Sequence, residues 1–282
     1  MNITLLGTGG PRPDLDRHGP AAVVKIGDAY LLFDSGRGVV LQMVRAGIPL
    51  DRVNPVFVTH HHYDHIGDLA DVILTSWLMG RQHDLQILGP PGTTSIVNAL
   101  LTQVYDKDIE FRDKGESAIV GGWKPVVCTD ILSGLVYDGG TWKVYAEMAK
   151  HGHDLPLPDA FKHRWVCLGY RLEAEGKVVA ISGDGVASEG LDHLAKNADV
   201  LVQCCYLATA ELTTPTLQHL AKHTLACSDT VGKIAQRARV KKLVLTHLRQ
   251  KSDAMLAEVV ADVACDYDGP VVLGHDLLDV QV

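Results

Sequence analysis

The segment VTHHHYDHIGD, residues 58–68, holds four of the chain's fourteen histidines within six positions, with an aspartate among them. Imidazoles bunched this tightly repel one another when protonated and lose hydration when buried. A cation resolves the conflict, because each ligating ring is neutral and gives its lone pair to the ion. The pattern is His60-x-His62-x-Asp64-His65, placed where the apolar run NPVFV ends. Side chains two apart on an extended backbone point the same way, so His60 and His62 can close on one ion. Asp64 and His65 diverge at the turn into a helix and can reach a second. His61 and Tyr63 interleave them and are expected to point away.

Four residues do not complete two sites, so further donors are needed from elsewhere. VYAEMAKHGHD offers His151 or His153, VVAISGDG offers Asp184 and KKLVLTH offers His247. Each lies just beyond an expected strand, the place where open-sheet proteins gather functional groups.

The elements that must position them follow from apolar periodicity and turn residues. Asn2 to Gly7 reads as a strand, and AAVVKIGDAYLLF reads as two strands joined at Gly27-Asp28. A helix follows at VVLQMVRAG, with Val40, Met43 and Val44 expected on its buried face and Gly47 as its stop. A strand then leads into the histidines, followed by one helix over about 66–79, the strand LQILG and a helix opened by Thr93. The second half alternates strands near 142–149, 166–173 and 177–182, then DVLVQC, KKLVLTH and PVVLG, with helices near 190–197, 228–238 and 252–264. Strand pairs early and alternation later predict an α/β protein, two sheets packed together with helices outside.

Composition bounds the classes. With 46% hydrophobic and 21% charged residues over 282, the chain is neither disordered nor fibrous, and residues 1–282 read as one domain. No apolar run approaches the ~20 residues that span a bilayer, and MNITLLGTGG lacks the start of a secretion signal. Six cysteines without CxxC spacing suggest reduced thiols and a cytoplasmic setting. The net charge of −8 counts against a nucleic-acid partner, since phosphates are met by Lys and Arg.

His60-x-His62-x-Asp64-His65, a later histidine, SGD and LTH closely resemble the metallo-β-lactamase superfamily. The flanks LLGTGGPRPDLDRHGPA, LLFDSGRG and GPPGTT look like its ribonuclease Z and arylsulfatase-like branch. The resemblance implies a four-layer αβ/βα sandwich and a dinuclear centre, with Zn²⁺ first and Mn²⁺ or Fe²⁺ as alternatives. It implies that one metal takes His60, His62 and His151, that the other takes Asp64, His65 and His247, and that Asp184 bridges them. His151 is preferred to His153 because the branch places this ligand in an "HG" pair. Two such ions about 3.5–4 Å apart ionise a trapped water near neutral pH. The resemblance thus implies a hydrolase, with Asp64 also steering the nucleophile's proton and His223 as acid to the leaving group. It further implies a homodimer.

The branch carries an "HEA" element after the strand matching ADVLV, where this chain has Gln203-Cys204-Cys205. The missing glutamate would partner the assisting histidine, and no Gly/Pro-rich arm for clasping RNA is evident. With the acidic charge, this favours a small ester-type substrate, such as a sulfate ester, phosphodiester or lactone, and no nucleic-acid partner. A ribonuclease Z-like phosphodiesterase acting on RNA and a non-catalytic metal-bound sensor are the alternatives. The vicinal cysteines read as buried small hydrophobes. Trp77, Tyr105, Phe161, Trp165 and Tyr206 read as core, and the loop 153–165 is expected to overhang the site.

Overall fold

Two seven-stranded mixed sheets form the centre of the protein, which the computed structural model describes over all 282 residues. The first runs in the order Leu278–Gln281, Asn2–Gly7, Ala21–Ile26, Ala29–Phe33, Val53–Phe57, Leu85–Gly89 and Val126–Asp130. The second runs Val271–Leu273, Leu243–Thr246, Val200–Cys204, Lys177–Ile181, Leu168–Ala174, Trp142–Met148 and Gly134–Asp138. The strands that lead to the histidine cluster, to Asp184 and to His247 are each parallel to a neighbour, whereas Trp142–Met148, which leads to His151, is antiparallel to both of its neighbours.

Three apolar clusters define four layers. One lies between the sheets and joins Ile3, Val24 and Phe33 to Val144, Leu172 and Val202. A second packs the outer face of the first sheet on the helices Val39–Arg45 and Leu69–Leu78. The third packs the second sheet on Glu189–Ala195, Ser228–Arg237 and Asp253–Asp266. This is the α/β sandwich expected of the metallo-β-lactamase fold. Strand Val200–Cys204 is buried at every position, as a central parallel strand covered on both faces must be. Tyr170 bridges the sheets: its ring lies 5.2 Å from that of Phe57, and its hydroxyl donates to the Val58 carbonyl at 2.6 Å.

Departures from the expected elements have local causes. Val44 is exposed, while Gln42 is buried on the same helix. The Gln42 amide donates to the Leu6 carbonyl at 2.8 Å and to Asp276 at 3.1 Å, so a polar side chain takes a place in the buried face. The helix expected over 66–79 is two helices, Tyr63–Ile66 and Leu69–Leu78. The break occurs at Asp68, whose N–H donates to the Ser35 carbonyl and whose carboxylate accepts from the Gly38 N–H. Helix Thr93–Ala99 continues through a π-helical turn, Leu100–Val104, into the exposed helix Asp106–Gly115.

Candidate dinuclear metal centre

His60, His62, Asp64 and His65 stand at the end of Val53–Phe57, where hydrogen bonds of Asp34 and Thr59 fix the chain. Asp34, in a left-handed conformation at φ 60°, accepts from the Thr59 N–H at 2.8 Å and the Thr59 hydroxyl at 2.9 Å. The same carboxylate sits 2.8 Å from His65 Nδ1, and Thr59 Oγ1 is 3.0 Å from His60 Nδ1. Partners on the δ nitrogens leave the ε nitrogens of both rings free to face the site. His61 turns away to Thr93 Oγ1 at 2.8 Å, and Tyr63 turns to the Pro11 carbonyl at the rim, as expected for the interleaved pair.

The second sheet delivers His151, Asp184 and His247 from three separate strand ends. A left-handed residue turns the chain at each: Gly152 at φ 77°, Gly183 at φ 53° and His247 itself at φ 55°. Histidine tolerates that region at a cost of about 1–2 kcal/mol, so the packing around His247 must hold it there. His151 Nδ1 donates to the Thr224 carbonyl at 2.8 Å, which leaves its Nε2 as a lone-pair donor. His153 is not brought in. Its Nδ1 accepts from the His151 N–H at 3.1 Å and its Nε2 lies 3.0 Å from the Trp165 carbonyl, a loop-bracing role.

Seven donors converge as two groups. His60 Nε2 and His151 Nε2 lie 2.9 and 3.2 Å from His62 Nδ1, and each is 3.9 Å from Asp184 Oδ2. On the other side, His65 Nε2 and His247 Nε2 are each 3.2 Å from Asp184 Oδ1, and His247 Nε2 is 3.3 Å from Asp64 Oδ2. Each oxygen of Asp184 therefore faces one group. Asp64 Oδ2, His65 Nε2, Asp184 Oδ1 and His247 Nε2 are buried without a hydrogen-bond partner, although they crowd together. Buried polar atoms are rarely left so, and these aim at shared points rather than at one another. The donor set fits two divalent cations.

The electrostatics agree. Burial depresses His151 to about 4 and holds His60 well below the ordinary histidine value, so both rings stay neutral. Burial acts against the charged form of His65 and His247 too. The carboxylates of Asp184 and Asp34 outweigh it for His65, carrying it to about 10, and those of Asp184 and Asp64 carry His247 to about 9. Two protons thus sit where positive charge is wanted, and a cation would displace them.

The mouth is lined by Pro11, His62, Asp64, His151, Thr224 and His247. Next to Pro11, Gly10 lets the backbone pass close to the site, since a Cβ there would lie 3.0 Å from both the His247 ring and the Tyr206 ring. The loop after His151 does lie against the site. Trp165 is half-buried rather than core: its ring is 4.8 Å from that of His62, and its Nε1 donates to the His151 carbonyl at 2.8 Å. His223 ends the helix Pro215–His223 beside the mouth, where its carbonyl accepts from the Gly152 N–H at 2.8 Å. Its Nδ1 is 2.8 Å from Asp154, a partner the sequence reading missed. The signal was the HGHD run, which places an acid three residues after His151. Gln203 is buried, and its amide donates to the Gly185 carbonyl at 2.9 Å, tying the Asp184 turn to the neighbouring strand. Cys204 and Cys205 are buried free thiols. Cys204 faces Asp184 and His247, whereas Cys205 faces the Leu207 carbonyl.

Residues 30–248 match the family model of the beta-lactamase superfamily domain. A protein of Mycobacterium bovis named ribonuclease Z is 32% identical over 289 residues, covering 100% of this chain and 98% of its own. Among solved structures, the short form of human tRNase Z superposes with a TM-score of 0.76 at 22% identity, covering 100% of this chain and 99% of its own. A metallo-beta-lactamase fold protein of Bacillus subtilis superposes with a TM-score of 0.72 at 20% identity, covering 99% and 98%.

The expectation of a small-molecule partner, with nucleic acid disfavoured, is overturned by relatives of this identity and coverage bearing the name ribonuclease Z. The net charge of −8 misled because it sums the whole surface, while binding depends on the field at the mouth. Arg37 braces the rim there, donating to the Gly10 and Pro11 carbonyls at 3.3 Å and lying over the Tyr63 ring.

Proposed function

Because the chain belongs to the metallo-β-lactamase superfamily and is a hydrolase of that fold, we propose that it is a metal-dependent phosphodiesterase that cleaves RNA. The observation that carries this reading is the pair of Asp184 oxygens, one facing each donor group, in a chain similar over its full length to ribonucleases. His60, His62 and His151 would hold one cation, Asp64, His65 and His247 the other, and Asp184 both. Nitrogen and carboxylate donors suit Zn²⁺, and two such ions would supply Lewis acidity toward a water and toward the phosphate oxygens.

The remaining work falls to the chain. Asp64 lines the mouth and would accept a proton from the attacking water. His223 is the proton donor to the leaving sugar oxygen. Asp154, bonded to its Nδ1, fixes the tautomer that presents Nε2–H, the task the absent HEA glutamate would otherwise perform. Arg37 and the exposed ring of Tyr63 offer a cation and a stacking face to a strand entering past Pro11. Six free cysteines support a reducing, cytoplasmic setting.

The test is cleavage of a structured RNA with a 3′ extension by the zinc-loaded protein, against chromogenic sulfate, lactone and ester substrates. Cut RNA and inert esters are expected, with cleavage abolished by chelation. Two bound metals with no cleavage of RNA would sink the proposal and favour the sensor reading.

A further inference from the structure

Cys204 closes the strand Val200–Cys204, which lies beside the strand leading to Asp184 and the strand leading to His247. Its backbone is held at both polar groups: the N–H donates to Ser182 Oγ at 3.0 Å, and the carbonyl accepts from the Gln203 amide at 3.1 Å. The side chain therefore has a set direction. Its Sγ, a carboxylate oxygen of Asp184 and a ring nitrogen of His247 all lie within 4.8 Å of one another. A shared cation with bonds of about 2.0–2.3 Å would draw these atoms slightly closer together. Asp184 Oδ1 and His247 Nε2 are buried and lack hydrogen-bond partners, so the two residues grouped with the thiol carry unsatisfied donor atoms. Cys205 is the internal contrast. Both cysteines pack in the apolar cluster of the second sheet's outer layer, but the Sγ of Cys205 turns to the Leu207 carbonyl and joins no donor group.

We propose that Cys204 is a ligand of the cation held by Asp64, His65 and His247, adding a thiolate to that half of the centre. The step is a ligand addition without redox change: the S–H bond breaks with its proton leaving to solvent, and the sulfur lone pair forms the bond to the cation. A divalent ion deprotonates a coordinating thiol outright, overriding the burial that otherwise keeps it protonated. The consequence is selectivity. A soft sulfur donor favours Zn²⁺ or Co²⁺ over Mn²⁺ and Mg²⁺ at this half, whereas the His60, His62 and His151 half stays nitrogen-rich.

This inference rests on the dinuclear reading, and zinc X-ray absorption on the full, zinc-loaded chain separates the two. The expected spectrum contains a sulfur shell at about 2.3 Å, averaging about half a sulfur per zinc, beside nitrogen and oxygen at about 2.0–2.1 Å. Cys204→Ser loses the sulfur shell and Cys205→Ser keeps it. In the cobalt-substituted protein, a sulfur-to-metal charge-transfer band is present in wild type and absent in Cys204→Ser. Competition for the site should shift toward Mn²⁺ by about tenfold or more in that variant. Two bound zinc ions with only nitrogen and oxygen neighbours in wild type would overturn the thiolate and leave the dinuclear centre intact. A wild-type chain that retains no zinc would overturn both. The wild-type spectrum decides even where Cys204→Ser fails to fold.

Discussion

The segment from His60 to His65 and the carboxyl ends of the second sheet supply the same kind of donor by opposite means. The first carries four donors on one stretch of backbone, braced by a single acid, Asp34, that ties Thr59 and His65 together. The second carries one donor on each of three strand ends, every one turned by a left-handed residue, and Asp184 alone touches both groups. A compact motif is placed by its own backbone and a single outside brace. A dispersed set needs strand order, turn geometry and inter-sheet packing to be right together, so the centre depends most on Asp184.

That contrast can be broken at several points. The largest effect is expected from Asp184→Ala. Metal content should fall from about two equivalents to none, with loss of RNA cleavage, whereas His60→Ala should keep about one equivalent in the other half; equal losses in both variants would contradict the bridging role. His223→Ala should lower kcat by about 10²–10⁴-fold with metal content unchanged. Asp154→Asn should give a smaller loss in kcat with KM unchanged. A change confined to KM would show that the pair binds substrate instead. Asp34→Asn tests the brace of the first region and should weaken metal binding about 10–100-fold, measured by competition with a chromophoric chelator. Unchanged affinity would mean that backbone alone holds the motif.

The smallest effect concerns protons, with one group from each region. His65 is raised to about 10 and His247 to about 9, both above the ordinary value of about 6.5. In chelated protein their contribution to stability is fully present below pH about 6.5, declines as pH rises and is lost beyond about 10. Tm of the chelated protein should therefore drop across that window relative to the metal-loaded protein. Metal uptake near pH 8, followed by calorimetry in two buffers of different ionisation enthalpy, should release more than one proton. Uptake without proton release would mean that these rings are already neutral.

The two regions also differ in how openly they were written in the chain. The HxHxDH run was legible because its spacing alone puts His60 and His62 on one side of an extended backbone and Asp64 and His65 at the turn into a helix. The core strands were legible as well, since a strand buried on both faces, such as Val200–Cys204, must be apolar throughout. The edge strands Val126–Asp130, Gly134–Asp138 and Leu278–Gln281 were not, because mostly exposed residues carry little alternation. Gln42 escaped because an amide can fill a buried position once distant groups accept its hydrogen bonds. Asp154 escaped because a carboxylate at a loop bend acquires a partner only when the helix Pro215–His223 is laid beside it.

Residue types and their spacing by themselves determined the donors, the α/β alternation and the branch the chain resembles, since those depend on neighbours along the backbone. Only the tertiary structure decided that His151 and not His153 turns inward, which oxygen of Asp184 meets which group, and that Cys204 faces the centre while Cys205 does not. Those choices are directions of single atoms, and they are set by contacts between strands far apart in the chain.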